Sequence, residues 1–287
     1  MSAGPDLTLP WVEADQSPAG PAAHRVFQSR LLGAPVSYRV YLPPGAGREP
    51  LPVIYWLHGL GGSPRQGEPF ARRLDGAVRA GAIQPTMAVF ANGLPFSWYC
   101  DAADGSAPVE AVLIGELIPH VDATYPTVAD RRGRAVEGFS MGGFGAARLA
   151  WKHPELFAAC SLAAAALYDG EAMAGGGRSW EWGLGPLRRR ELFDRVFGGD
   201  AGYFEACSPW TWLRRGALEL RVTQALRLVV GADDPLTACN RRCRALLQEL
   251  GVPHSYAEVP GAAHRLAPLY ACLGEEAVGF FGRALGG

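Results

Sequence analysis

The chain has 287 residues, with 27 Lys and Arg against 28 Asp and Glu and a formal net charge of −1, a balance that argues against nucleic acid or an anionic membrane as the main partner. At 48% hydrophobic residues it is long enough for one large α/β domain, and no shift in composition asks for a second. The start, Met1-Ser2-Ala3-Gly4-Pro5-Asp6, lacks the cationic and apolar stretches of a secretion signal; the longest mostly apolar run, Phe157 to Tyr168, is too short to cross a bilayer; and six scattered cysteines without metal-site spacing point to reduced thiols in the cytoplasm.

Residues 1–23, rich in Pro and Gly, read as an extended or frayed arm. His24 to Leu32 and Val36 to Leu42 alternate in polarity around Gly33-Ala34-Pro35, which predicts an antiparallel hairpin at a sheet edge. Leu51 to Leu57 is nearly all apolar, as a strand covered on both faces must be, and it runs into His58-Gly59-Leu60-Gly61-Gly62-Ser63. Helical spacing follows from Phe70 to Val78, then a buried strand from Thr86 to Ala91, the aromatic cluster Phe96 to Asp101, and a helix from Val109 to Thr124. The apolar Ala135-Val136 leads to Gly138-Phe139-Ser140-Met141-Gly142, followed by the helix formers Ala146 to Trp151 and the stop signal Pro154. Phe157 to Ala165 is a further strand.

From about residue 167 to 222 the pattern breaks into aromatic residues, among them Trp180, Trp182, Phe193, Phe197, Phe204, Trp210 and Trp212, mixed with Gly and Arg. A stretch this long needs structure and purpose, and it reads as a mainly helical insertion over the site, with Arg188-Arg189-Arg190 on a solvated face. Leu226 to Val230 is a strand ending at Gly231-Ala232-Asp233-Asp234-Pro235, Asn240 to Leu250 a helix, His254 to Val259 the last strand, and Ala271 to Leu285 the final helix.

G-x-S-x-G between a strand and a helix is a sharp turn that lifts a seryl oxygen above a sheet edge, with the helix N-terminus aimed at any oxyanion formed beside it. Ser140 is therefore the candidate nucleophile. A hydroxyl needs a base in hydrogen-bond reach and a carboxylate to orient that base. His264 and either Asp234 or Asp233 follow C-terminal strand ends, where open α/β sheets place working loops; Asp234 stands where the strand turns and is the better placed of the two. His58 belongs to the structure of its glycine loop. That loop supplies a second oxyanion donor at the Leu60 amide, paired with the amide of Met141; the Lys and Ser/Thr of a phosphate loop are absent.

Taken together, His58-Gly59-Leu60-Gly61-Gly62, Ser97-Trp98-Tyr99, Glu116 to Asp122 with Tyr125-Pro126, Gly138 to Ala146, His153 to Phe157, Ser208-Pro209, Gly231 with Asp234, and Pro260-Gly261 with His264 resemble the esterase D group of α/β-hydrolases. That group includes S-formylglutathione hydrolases, feruloyl and acetyl esterases, enterochelin esterases and the antigen 85 mycolyltransferases. The resemblance runs from about residue 25 to the C-terminus. It implies an α/β-hydrolase fold with a mostly parallel central sheet, helices on both faces and a helical insertion, a single domain over residues 24–287. It also implies nucleophile Ser140, base His264, acid Asp234, oxyanion amides at Leu60 and Met141, substrate contacts at Gly59, Trp98 and Tyr99, and no metal or organic cofactor. One departure is the run Arg265 to Tyr270, where family members usually carry tryptophans that wall the cleft.

The expected activity is hydrolysis of a small-molecule carboxylic ester or thioester through an acyl-serine. The alternatives are acyl transfer to an alcohol or amine, motivated by a tryptophan-rich lid that keeps water out, and a non-catalytic binding protein on the same fold. A homodimer stays open.

Overall fold

In Val53-Ile54-Tyr55-Trp56-Leu57 every side chain is buried, and alternate residues enter different cores: Val53, Tyr55 and Leu57 one, Ile54 and Trp56 the other. A strand with no solvated face has to sit inside a sheet covered by helices on both sides. The computed structural model describes residues 10–47, 49–176 and 184–286. In it this segment, β3 (Val53–Leu57), lies within an eight-stranded sheet with β1 (Ala23–Ser29), β2 (Ala34–Tyr41), β4 (Met87–Ala91), β5 (Arg134–Phe139), β6 (Ala159–Ala163), β7 (Ala225–Gly231) and β8 (Ser255–Val259). The order is β1-β2-β4-β3-β5-β6-β7-β8. β1 and β2 form the antiparallel edge hairpin, β2 pairs antiparallel with β4, and the pairs from β4 across to β8 are parallel.

The chain steps from β3 to β4 on one side and then back across β3 to β5 on the other. The loops leaving β3 and β5 therefore diverge at the point where strand order reverses, and a crevice opens there at the C-terminal ends of the strands.

One face is covered by α1 (Glu68–Arg79), α10 (Leu266–Leu273) and α11 (Glu276–Leu285), whose Phe70, Leu74, Leu269, Tyr270, Phe280 and Phe281 share a core with Ile54 and Trp56. The other carries α2 (Val109–Val112), which runs through a π-helical turn at Leu113–Leu117 into α3 (Ile118–Thr124), together with α4 (Met141–Lys152) and α9 (Thr237–Glu249). The sequence pattern predicts one unbroken final helix from Ala271. Gly274 interrupts it at φ 58° and ψ −130°, a left-handed conformation that only glycine takes at little cost, so α10 and α11 are separate helices.

The segment between β6 and β7 forms α5 (Gly170–Met173), α6 (Pro186–Phe197), α7 (Ala201–Cys207) and α8 (Pro209–Thr223). Its aromatic residues build a small core on α4, the helix that follows Ser140: Phe197 and Phe204 are 5.0 Å apart edge to face, and Phe204 meets Phe144 of α4 at 6.5 Å. Trp180 and Trp182 lie outside the described residues. Arg189 departs from the expected solvated face. It is fully buried and donates to the carbonyls of Leu184 and Gly176, whereas Arg188 and Arg190 pair at the surface with Glu191 and Asp194.

The described part of the N-terminal arm, residues 10–22, is docked rather than frayed. Glu13 is buried and accepts from Arg39 Nε of β2 at 2.7 Å, and Arg39, itself fully buried, also donates to the carbonyls of Ser17 and Asp15.

Candidate active site

β5 ends at Phe139 and α4 begins at Met141, so the whole reversal falls on Ser140, at φ 58° and ψ −116°. A non-glycine residue there is strained and persists only where its surroundings fix it. Here the Ser140 N–H donates to Ala163 O at 3.0 Å, and its carbonyl accepts from Ala166 at 2.9 Å and Phe144 at 3.2 Å. The flanking glycines allow the close approach: a Cβ at Gly138 would lie 1.9 Å from Gly142 O, and one at Gly142 would lie 2.1 Å from Leu57 O.

The far end of α4 is fixed by charge. Glu110 of α2 is buried and accepts from Arg148, from Lys152 at 2.6 Å and from His153 Nε2 at 2.9 Å. Burial raises the pKa of its carboxyl, but the bonds and charges of His153, Arg148 and Lys152 outweigh that and hold it at about 2. Beneath the serine strand, Glu137 is fully buried. Burial pushes it up to about 7, against the pull of Arg227, whose Nη2 lies 3.2 Å from Glu137 Oε1.

β7 and β8 deliver the other two side chains. Past Gly231 the chain turns so that Asp234 Oδ1 accepts from the Leu236 N–H at 2.8 Å, which leaves Oδ2 to accept from His264 Nδ1 at 2.7 Å. His264 lies beyond β8, its ring stacked on Phe139 at 4.9 Å and 23°. With the Nδ1 proton held by Asp234, Nε2 accepts, and it lies 2.9 Å from Ser140 Oγ. Asp234 is buried, whereas the alternative, Asp233, is exposed.

Ser140 and His264 open into a cavity of about 320 Å³, also lined by Gly59, Leu60, Gln66, Trp98, Met141 and Tyr168. Among the described residues the amides of Leu60 and Met141 donate to no protein acceptor. His58 is a loop residue: it is fully buried, Nδ1 donates to Gly59 O at 3.0 Å, Nε2 accepts from the Gly93 N–H at 3.3 Å, and burial holds its pKa down at about 4.

Of the expected substrate contacts, Gly59 and Trp98 line the cavity and Tyr99 does not. Tyr99 is fully buried, donates its hydroxyl to His58 O at 3.1 Å and packs its ring where side chains at Gly93 and Gly145 would be. The chain takes φ 57° at Trp98 and 56° at Tyr99, so the two side chains leave in different directions.

The insertion reaches the cavity through Tyr168 and Leu184; Trp210 and Trp212 are not among its lining residues, and their indole N–H groups donate to the carbonyls of Tyr168 and Ala206. The run after His264 that lacks tryptophan forms α10 and buries Leu266, Leu269 and Tyr270 in the core. Phe139 and Leu236 also line the cavity, and each sits within two residues of Ser140 or Asp234. Gln66 and Leu184 carry no local sign of their place. Among the described residues no group of three or more His, Cys, Asp or Glu is arranged to hold a metal ion, and no helix is long and apolar enough to cross a membrane.

This chain is similar to an endo-1,4-beta-xylanase/feruloyl esterase of Xylanibacter ruminicola, 34% identical over 154 residues that make up 50% of this chain and 21% of that protein. It is also similar to an esterase of Mycobacterium tuberculosis, 29% identical over 259 residues, 82% of this chain and 54% of that protein. The chain thus spans about half the length of these curated relatives or less. A solved ferulic acid esterase structure superposes with a TM-score of 0.71 at 21% identity, covering 92% of this chain and 98% of that one, and the fold is that of the α/β-hydrolases. The model of the esterase family, described as "Putative esterase", matches residues 29–265, and the chain belongs to that family.

Proposed function

We propose that the protein hydrolyses a small-molecule carboxylic ester or thioester through an acyl-serine, with residues 24–287 acting as one α/β-hydrolase domain and about 167–222 as its insertion. The observation that carries this reading is the pair of hydrogen bonds linking Asp234, His264 and Ser140 at a cavity where two backbone amides, Leu60 and Met141, have no protein acceptor.

In this reading Ser140 Oγ attacks the carbonyl carbon as its proton passes to His264 Nε2. Asp234 stabilises the imidazolium and holds the tautomer. The negative oxygen of the tetrahedral species takes hydrogen bonds from the amides of Leu60 and Met141, which are already in place and need no reorganisation. The C–O or C–S bond to the leaving group then breaks as Nε2 returns the proton to that group. A water deprotonated by the same nitrogen attacks the acyl-serine and releases the acid. The neighbouring walls, Trp98, Met141, Tyr168 and Leu184, suit an apolar acyl group.

Acyl transfer would follow the same intermediate but needs a wall that keeps water out, and no tryptophan of the described insertion lines the cavity. A non-catalytic role leaves the strained Ser140 and its aligned imidazole without a purpose. Five of the six cysteines are buried thiols, in keeping with a reducing, cytoplasmic setting. The test is Ser140→Ala against 4-nitrophenyl acetate and butyrate, with a fluorophosphonate probe on the native enzyme. Turnover should vanish and the probe should mark Ser140; wild-type rates in the variant would overturn the reading.

A further inference from the structure

The loop after β3 presents four consecutive backbone donors, Gly59 to Gly62, beside the serine. Three are engaged: Gly59 N–H donates to Gln66 Oε1 at 2.5 Å, Gly61 N–H to Pro95 O at 2.7 Å, and Gly62 N–H to Gly59 O at 3.0 Å. Leu60 alone among them has no acceptor among the described residues. The acceptors for Gly61 and Gly62 are backbone carbonyls, which any sequence would offer. The acceptor for Gly59 is a side chain, and the assignment of its oxygen is fixed because a backbone N–H can only donate.

Gln66 itself is held from below. It sits in the 3₁₀ turn Pro64–Gly67, whose cap Ser63 donates its hydroxyl to Glu13 Oε1 at 2.8 Å, and the Arg65 N–H donates to the same oxygen at 3.1 Å. The other oxygen of Glu13 takes the buried Arg39. A chain of polar contacts thus runs from β2 through the docked N-terminal segment to the Gln66 turn and ends on the amide next to Leu60.

We infer that Gln66 is the positioning residue of the oxyanion loop. By taking the Gly59 N–H it fixes the His58–Gly59 peptide plane and, through it, the next one, so that the following donor, Leu60 N–H, is held toward the cavity it lines with Ser140, where the oxygen of a substrate carbonyl would sit. This rests on the proposed hydrolase reading, and it adds a side chain that neither reacts nor moves a proton. Losing the acceptor would leave the Gly59 N–H unpaired in a half-buried loop, which would turn to satisfy it and misdirect Leu60. Deleting an oxyanion donor outright lowers kcat by about 10²–10³ in other hydrolases; misdirecting one should lower it by about 10- to 100-fold.

The experiment compares native enzyme with Gln66→Met, of equal length but no acceptor, and Gln66→Asn, too short to reach Gly59. Serines are counted by fluorophosphonate titration, kcat and KM are measured with 4-nitrophenyl butyrate, and inhibition is measured with a trifluoromethyl ketone that forms the tetrahedral oxyanion. The expected result is a full count of reactive serines, kcat per titrated serine down about 10- to 100-fold, KM within about twofold, and inhibitor affinity weakened in step with kcat/KM. Simple structural damage would lower the count and leave kcat per serine intact, and that result in whichever variant folds overturns the inference. So does native inhibitor affinity beside a reduced kcat. If Ser140→Ala turns over at the native rate, the hydrolase reading has failed first, and the two failures are told apart.

Discussion

Replacing Asp234 with Asn tests the site at the one atom where its hydrogen bonds leave no freedom. The carboxylate has two fixed donors to satisfy, Leu236 N–H at 2.8 Å and His264 Nδ1 at 2.7 Å. The first is a backbone group and cannot become an acceptor, so the single amide oxygen of Asn must turn to it. The amide NH2 then faces His264 Nδ1, which has to accept, and the ring proton moves to Nε2. Nε2 lies 2.9 Å from Ser140 Oγ, and as a donor it can no longer take the seryl proton. Shape and volume barely change, so the fold should persist while the tautomer is wrong. A wrong tautomer of this kind costs a factor of about 10⁴ in kcat, or about 5 kcal/mol at about 1.36 kcal/mol per decade. Steady-state hydrolysis of 4-nitrophenyl butyrate measures it, with circular dichroism and thermal melting as controls. The exposed Asp233→Asn should stay within about twofold of native. Asp234→Asn within tenfold of native, or a larger loss in Asp233→Asn, would refute the reasoning.

Glu13→Ala should destabilise the protein by about 3–5 kcal/mol in urea unfolding, because it strands the guanidinium of Arg39, whose side chain is 0% exposed; a loss below about 1 kcal/mol would mean that the arm is not part of the folded unit. Gly142→Ala should lower stability by about 2–3 kcal/mol and reduce turnover, since its Cβ would meet Leu57 O at 2.1 Å, and unchanged unfolding would refute the close packing at the elbow. Glu110 has a folded pKa of about 2 against an ordinary 4.5. A depressed carboxyl contributes stability above its unfolded pKa and loses it as pH falls through the folded one, so native stability should drop between about pH 4.5 and 2 by up to about 3 kcal/mol. Glu110→Gln should be less stable at pH 7 and flatter across that window, and parallel curves for the two proteins would count against the assignment.

What could be read from the sequence was geometry set by near neighbours. Gly138 and Gly142 flank Ser140, Asp234 and His264 follow strand ends, and Leu60 stands among glycines; each announces a turn at a strand end, and the α/β sheet gathers such turns along one rim. Pairings across the chain left no local trace. Arg39 looks like any charged residue in an edge hairpin until Glu13, 26 positions earlier, covers it. Arg189 sits in a run of three arginines, and only the tertiary fold decides that this one turns inward onto Gly176 and Leu184.

Trp98 and Tyr99 show why membership in a motif does not assign a role. Both belong to the same short pattern and both take a left-handed backbone, with Ser97 Oγ donating to Gly93 O and accepting the Tyr99 N–H at 3.0 Å to hold the turn. The pattern encodes that turn. A left-handed pair of residues sends consecutive side chains in different directions, so one of the two aromatic rings meets the cavity and the other fills the space left by Gly93 and Gly145. Which ring does which depends on the two glycines, one in the preceding loop and one in α4, that make room for it. A substitution at Tyr99 should therefore act on the serine only indirectly, through the His58 carbonyl that its hydroxyl holds, whereas one at Trp98 changes the wall that the acyl group would touch.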